Sequence, residues 1–182
     1  MTGNTVDNSD GHGILIGTAT EGLTISSNTV TNNMLDGLRV NDYSGSIVAG
    51  GINNNVATGN GGTGIRLDVI DGGRIDDNQA SNNGQDGFLF GTWTSGTFAD
   101  GNIANNNGDA GFRWLQSIPN GLFDNGTANG NGSDGFVIPS ISNGFFRNNS
   151  ADNNVGAGFN IGSTFGIIRD NTATGNADNS LP

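Results

Sequence analysis

After Gly13, Gly37, Gly64, Gly87, Gly111, Gly135 and Gly158 the chain repeats one pattern of apolar, variable, apolar positions. The pairs are Ile14 and Ile16, Leu38 and Val40, Ile65 and Leu67, Phe88 and Phe90, Phe112 and Trp114, Phe136 and Ile138, Phe159 and Ile161. Alternation with period two over so short a run predicts a strand with one buried face. A second run recurs further along each period, marked by Ile25, Ile52, Ile75, Phe98, Phe123, Phe146 and Ile168. A third follows at Val6, Val30, Val56, Ala80, Ala104, Ala128, Ala151 and Ala173. Each period therefore offers three brief strands separated by turns.

The glycines are spaced 24, 27, 23, 24, 24 and 23 residues apart, and a period of this size indicates a solenoid. Three one-faced strands per period close into a coil. Stacked coils let every strand pair in parallel with its copy above and below, the return path being one circuit of the coil. The expected fold is an all-β, parallel β-helix of about eight coils of 22–27 residues, rising about 4.8 Å per coil. It spans residues 1–182 as a single domain. Because the chain starts inside a coil at Asn4 and finishes inside one at "TATGNADNSLP", with no amphipathic helix at either end, it reads as an uncapped segment of a longer solenoid. Its open ends are candidates for self-association.

Two further columns support this register. The third-run residue changes from Val to Ala as Phe enters the other columns at Phe88, Phe90 and Phe98, the volume trade that a close-packed interior demands. Just beyond each third-run residue stand Asn33, Asn60, Asn83, Asn107, Asn131, Asn154 and Asn176, with Ser9 at the top. Asn tolerates left-handed backbone at a corner, and its amide can bond to the copy one coil away, which makes a ladder.

Composition agrees: 33 Gly and 30 Asn leave few helix formers. The net charge of −11, with six Arg and no Lys, opposes binding to nucleic acid or to an anionic membrane. The absence of Cys excludes a disulfide framework and a thiolate metal site. The opening "MTGNTVDNSD" lacks the layout of a signal peptide.

These repeats resemble the right-handed parallel β-helix family, the architecture shared by pectate lyases, polygalacturonases, mannuronan epimerases, phage tailspikes and many surface proteins. The resemblance covers Asn4 to Asn176. Locally, "GHGILIGT" is similar to the polygalacturonase stretch in which a His lies beside catalytic aspartates. "NTVDNSDGHG" is similar to a mannuronan epimerase coil that supplies an active-site His before Gly. On either resemblance His12 is the catalytic candidate, and Arg39 in "DGLRV" stands where polygalacturonases place a substrate-binding Arg. By position, His12 shares its row with Asp36, Thr63, Asp86, Ala110, Asp134 and Ala157, a turn site that also accepts any small or polar residue.

Other candidates come from stacking. Outward positions between the paired apolar residues put Arg39 above Arg66, with Arg113 two coils on. A row of guanidinium groups suits a carboxylated or sulfated sugar chain, and equally suits pairing with turn carboxylates such as Asp36 and Asp68. Trp93 and Tyr43, read as turn residues, are candidates to stack on sugar rings or to shield their turns. Asp76 and Asp77 in "RIDDN" offer adjacent carboxylates that cooperate only if a turn separates them. Leu122, Phe145 and Ile167 stack on an outer face as a contact surface for another chain, beside a second outward column of Asp124, Arg147 and Arg169. "GGTGIRLDV" approaches a calcium-binding nonapeptide but carries Arg66 at the ligand position. No metal or cofactor is expected, although turn aspartates leave room for Ca²⁺. Thr-x-Thr at Thr29 to Thr31 and at Thr172 to Thr174 is too sparse for an ice-binding face.

Two functions remain open. One is a non-catalytic extracellular or cell-surface module, a rigid spacer and contact face toward acidic polysaccharide. The other is a carbohydrate-active enzyme (polyuronate lyase, hydrolase or epimerase) or a fragment of one, using His12 and Arg39.

Overall fold

The structure is a computed structural model and describes residues 1–18, 23–44, 50–93 and 96–181. Among these residues there is no helix, so none long and apolar enough to cross a membrane. Every strand pairing is parallel, and paired residues lie one circuit of the chain apart: Ile14 with Leu38, Leu38 with Ile65, Ile65 with Phe88, Phe88 with Phe112. The result is a β-solenoid with a seven-stranded sheet on one side. We number the rungs 1 to 7 by their side-1 strands, which begin at Ile14, Leu38, Ile65, Phe88, Phe112, Phe136 and Phe159. Side 2 carries Thr24–Ser26 through Ile167–Arg169, and side 3 carries Thr29–Thr31 through Thr172–Thr174.

Inside, like stands over like. The rings of Phe88, Phe112, Phe136 and Phe159 stack with centroids 4.8, 4.9 and 5.1 Å apart, tilted by no more than 15°. Their spacing is that of the rungs themselves, about 4.8 Å, so the stack follows from register alone. Phe123 and Phe146 meet these rings edge-on from side 2, the preferred alternative to a face-to-face sandwich.

Two positions correct the expected columns. On side 3 the inward residue of rung 2 is Ala57, paired with Val30, while Val56 pairs with Thr29 and points outward. On side 2 the inward residue of rung 4 is Ala99, paired with Ile75, and Phe98 pairs with Arg74 on the outside. The Val-to-Ala change therefore comes one rung earlier than the volume argument placed it, and Phe98 takes no part in the interior.

The corners explain the Asn content. Two roles expected of one residue are divided between neighbours: the first adopts left-handed φ, and the second joins a ladder. Asn32, Asn82, Asn106 and Asn153 have φ of 53° to 57°, and glycines take that place at Gly59, Gly130 and Gly175. The residue that follows each of these is a ladder Asn. In the ladder, the backbone N–H and Nδ2 of one Asn both donate to Oδ1 of the Asn one rung on. For Asn83 to Asn107 both distances are 3.1 Å. The same Nδ2 also reaches a carbonyl of the rung before, as Asn107 does to Ala80 at 3.0 Å. At Asn176 the acceptor is Asn179, three residues on in the chain.

A second ladder runs through Asn4, Asn28, Asn55, Asn78 and Asn102, and resumes at Asn149 and Asn171. It is interrupted at Gly126. A Cβ there would lie 2.4 Å from the Phe123 ring, so the widened aromatic core occupies the space that an Asn needs.

Candidate functional site

The outward face of side 1 collects the polar candidates. Because alternate residues share a face, an Arg meets the residue two positions on. Arg39 Nε donates to Asn41 Oδ1 at 3.0 Å, and Arg66 Nε donates to Asp68 Oδ1 at 2.7 Å. Asp68 also receives Arg39 Nη2 at 2.9 Å, on its other oxygen. Two guanidinium groups from adjacent rungs thus share one carboxylate, each about a third exposed or less. The readable signal was Arg-x-Asn and Arg-x-Asp, which recurs on side 2 where Arg74 bonds Asp76.

Arg113 does not join that pair. Leu89 stands between it and Arg66 in the column. Arg113 Nε reaches both oxygens of Asp86 at 3.0 and 3.1 Å, and its Nη2 lies 3.1 Å from Asp109. Burial pushes the Asp86 carboxyl above its ordinary range, against the pull of Arg113.

His12 stands at the turn that leads into side 1. Its Nδ1 accepts the backbone N–H of Asp36 at 3.2 Å. An Nδ1 that accepts puts the hydrogen of the neutral ring on Nε2. Asp36 Oδ2 lies 3.5 Å from the same nitrogen, too far to compete with the backbone bond. Down the row the same task recurs: Asp36 Oδ1 accepts Thr63 N–H, Asp86 Oδ1 accepts Ala110 N–H, and Asp134 Oδ1 accepts Ala157 N–H, at 2.9, 3.0 and 2.7 Å. His12 does for rung 2 what these carboxylates do for later rungs. Asp36 thus gives its N–H to His12 and takes the Thr63 N–H on Oδ1, while Arg39 and Arg66 bond Asp68.

Tyr43 and Trp93 need correcting. Side 1 continues past a corner at Asp68 and Gly91, where a Cβ on Gly91 would sit 2.1 Å from the Asp68 carbonyl oxygen. Beyond that corner Tyr43 and Trp93 each pair with Ile70 and face inward, at 0% and 2% exposure. Neither ring can meet a sugar. Burial raises the Tyr43 phenol pKa, and its hydroxyl, like Nε1 of Trp93 and Trp114, has no partner among the described residues.

On side 2, Asp76, Asp100 and Asp124 stack in consecutive rungs. The backbone turns over at Asp77, whose φ is 54°, so Asp76 and Asp77 do not face one point. Asp76 Oδ1 is buried without a partner; burial raises its pKa, with Arg74 opposing and Asp100 and Asp77 adding to the rise. A carboxyl whose pKa is raised in the folded state binds protons more tightly there than in the unfolded chain. Its contribution therefore favours folding as pH falls toward the ordinary carboxylate pKa of about 4, and is lost as pH rises through the raised value. Asp76→Asn keeps an acceptor for Arg74 and removes the charge. Melting temperatures at neutral and mildly acidic pH should show a smaller pH dependence in this variant than in the parent; an unchanged slope refutes the assignment. Among the described residues no three His, Asp or Glu side chains converge where a metal ion could sit.

The profile of a family described as "Right handed beta helix region" matches residues 1–114 and again residues 49–181. No curated protein sequence matches the chain. A double mutant of the periplasmic alginate epimerase AlgG superposes on 100% of the chain with a TM-score of 0.67 and 18% identity, and the chain covers 46% of it. The A-module of the Azotobacter vinelandii mannuronan C-5 epimerase AlgE4 superposes on 89% of the chain at 0.59 and 17%, with 56% of that module covered. The chain thus spans about half the length of these structures. At such identities the likeness speaks for the fold.

Proposed function

The chain belongs to the right-handed β-helix family, and from that premise we propose that it is a rigid extracytoplasmic module holding an acidic polysaccharide of the polyuronate class on the outward face of side 1. The observation that carries this reading is the sharing of Asp68 by Arg39 and Arg66. Two cations on one anion leave a positive step on a protein of net charge −11. Planar guanidinium donors match carboxylate groups, and rungs about 4.8 Å apart offer them to neighbouring sugars of one chain. Arg113, held between two carboxylates, adds no free charge and leaves the proposed set. The names of the two solved relatives, an alginate epimerase and a mannuronan C-5 epimerase, support a carboxylated sugar chain as ligand, and the periplasmic one supports the location.

A second reading is catalytic: epimerase, lyase or hydrolase. It is favoured by His12 and Arg39 lying on adjacent rungs of one side, as the resemblance around His12 implies, and by the activity named for both solved relatives. Inversion at a carbon beside a carboxylate needs one group to remove a proton and another to return it. With Nδ1 engaged by Asp36 N–H, the neutral His12 ring offers Nε2–H as a hydrogen bond to the sugar carboxylate that Arg39 would hold, so this pair would steady the charge that builds there while the proton leaves and returns through other groups.

Calorimetric titration with oligomannuronate and oligogalacturonate, paired with an assay for turnover, separates the readings. The double variant Arg39→Ala, Arg66→Ala should bind about tenfold more weakly or worse, and Arg113→Ala should change affinity by less than about twofold. Turnover that disappears in His12→Ala establishes the second reading in place of the first. Absence of both binding and turnover removes both.

A further inference from the structure

Side 2, away from the proposed sugar face, carries two outward columns. One reads Arg74, Phe98, Leu122, Phe145 and Ile167 over rungs 3 to 7; the other reads Asp76, Asp100, Asp124, Arg147 and Arg169. The first becomes an apolar stripe, with Phe145 42% and Ile167 49% exposed, and beside these two lies a hollow of about 270 Å³ floored by Gly144 and Gly166. The second changes from acid to base along the rod.

We propose that this face is a two-fold interface between two copies of the chain, with their rods antiparallel. For two identical faces in contact the axis lies in the plane between them. An axis along the rod keeps the rung and reverses position along the strand, which would set Phe98 against Asp100. An axis along the strands does the opposite: it keeps the column and reverses the rung order. Placed between rungs 5 and 6, it sets Phe98 against Ile167, Leu122 against Phe145 and Asp100 against Arg169, and lays the Asp124–Arg147 ion pair of one chain, already closed at 2.8 Å, head to tail over that of the other. Every pairing is then apolar with apolar or acid with base, which is the self-complementarity that an isologous contact requires.

Two side chains show this need directly. Asp100 has an Asn125 amide at 2.8 Å but no cation among the described residues. Arg169 is 56% exposed, and its nearest carboxylate is Asp170 at 3.7 Å, itself 66% exposed. The two stand three rungs, about 14 Å, apart in one chain, and a reversed copy brings them together. Phe98 and Leu122 of that copy fall opposite the hollow between Phe145 and Ile167.

Sedimentation equilibrium of the full chain, from micromolar to millimolar, tests the proposal. The parent should populate a closed dimer and nothing larger. Phe145→Asp, at a solvent-facing position with circular dichroism as the fold check, should raise the dimer dissociation constant at least tenfold. Arg169→Asp should weaken the dimer, and adding Asp100→Arg to it should restore association, which a merely structural role would not do. A parent monomeric throughout, a dimer untouched by Phe145→Asp, or an open-ended series of oligomers overturns the proposal, the last pointing to contact between rod ends.

Discussion

Replacing Asn107 by Ala is expected to lower the free energy of unfolding by about 3 to 5 kcal/mol, the loss of four hydrogen bonds made inside a closed corner. Oδ1 of Asn107 receives Asn83 N–H and Asn83 Nδ2, and Nδ2 of Asn107 donates to the Ala80 carbonyl and to Asn131 Oδ1. All four partners are buried, and no water can replace an amide there without opening the corner. In a chain of this length the midpoint should fall by about 10 °C, read from the fluorescence of Trp93 and Trp114. Asn107→Asp is the sharper control. It keeps the shape and the acceptor but sets a carboxylate oxygen against the Ala80 carbonyl and Asn131 Oδ1, so it should be nearly as damaging as Ala. If it behaves like the parent, the ladder matters only through shape.

Gly111→Ala should be similarly severe, about 3 kcal/mol or more, although it adds one methyl group. Its Cβ would lie 2.8 Å from the Ala128 Cβ, 2.8 Å from the Gly135 carbonyl oxygen and 2.9 Å from Asn131 Nδ2. None of these neighbours is the free end of a flexible side chain, so the rungs would have to separate. Gly87 and Gly135 face the same crowding. Gly17→Ala, where a Cβ meets nothing within 4 Å, should shift stability by less than about 0.5 kcal/mol. Urea denaturation of both variants checks the contrast; equal effects would mean that the Gly column is not set by close approach. The repeated glycine is thus the space in which one rung passes the small residue of side 3.

The architecture was legible because the interior is a set of columns, and a column repeats in sequence what it repeats in space. The Phe88, Phe112, Phe136 and Phe159 stack and the ladder from Asn33 to Asn176 could be named from spacing. What misled was alignment on the largest apolar residue. In "VATGN" and "FADGN" the inward residue is the small one, Ala57 or Ala99, and the larger neighbour is outside. The ladder Asn was the better ruler: Ala57 stands three before Asn60, as Val30 stands three before Asn33, and Ala99 stands three before Asn102, as Ile25 stands three before Asn28. Tyr43 and Trp93 were misread because side 1 runs on past its expected end, and only the close approach at Gly91 reveals that. Stacking of Arg39 over Arg66 was readable, but their sharing of Asp68 was not, since it depends on which neighbouring rung each side chain leans toward.

In both ladders the bonds from one Asn side chain to the next all run toward the later rung, the second Nδ2 hydrogen alone turning back to a carbonyl of the rung before. Such a chain of aligned amides polarises itself and makes the rod vectorial, with its upper and lower surfaces chemically unlike. A rung laid on upside down would confront donor with donor, so one rung can continue the ladder of another in one sense only.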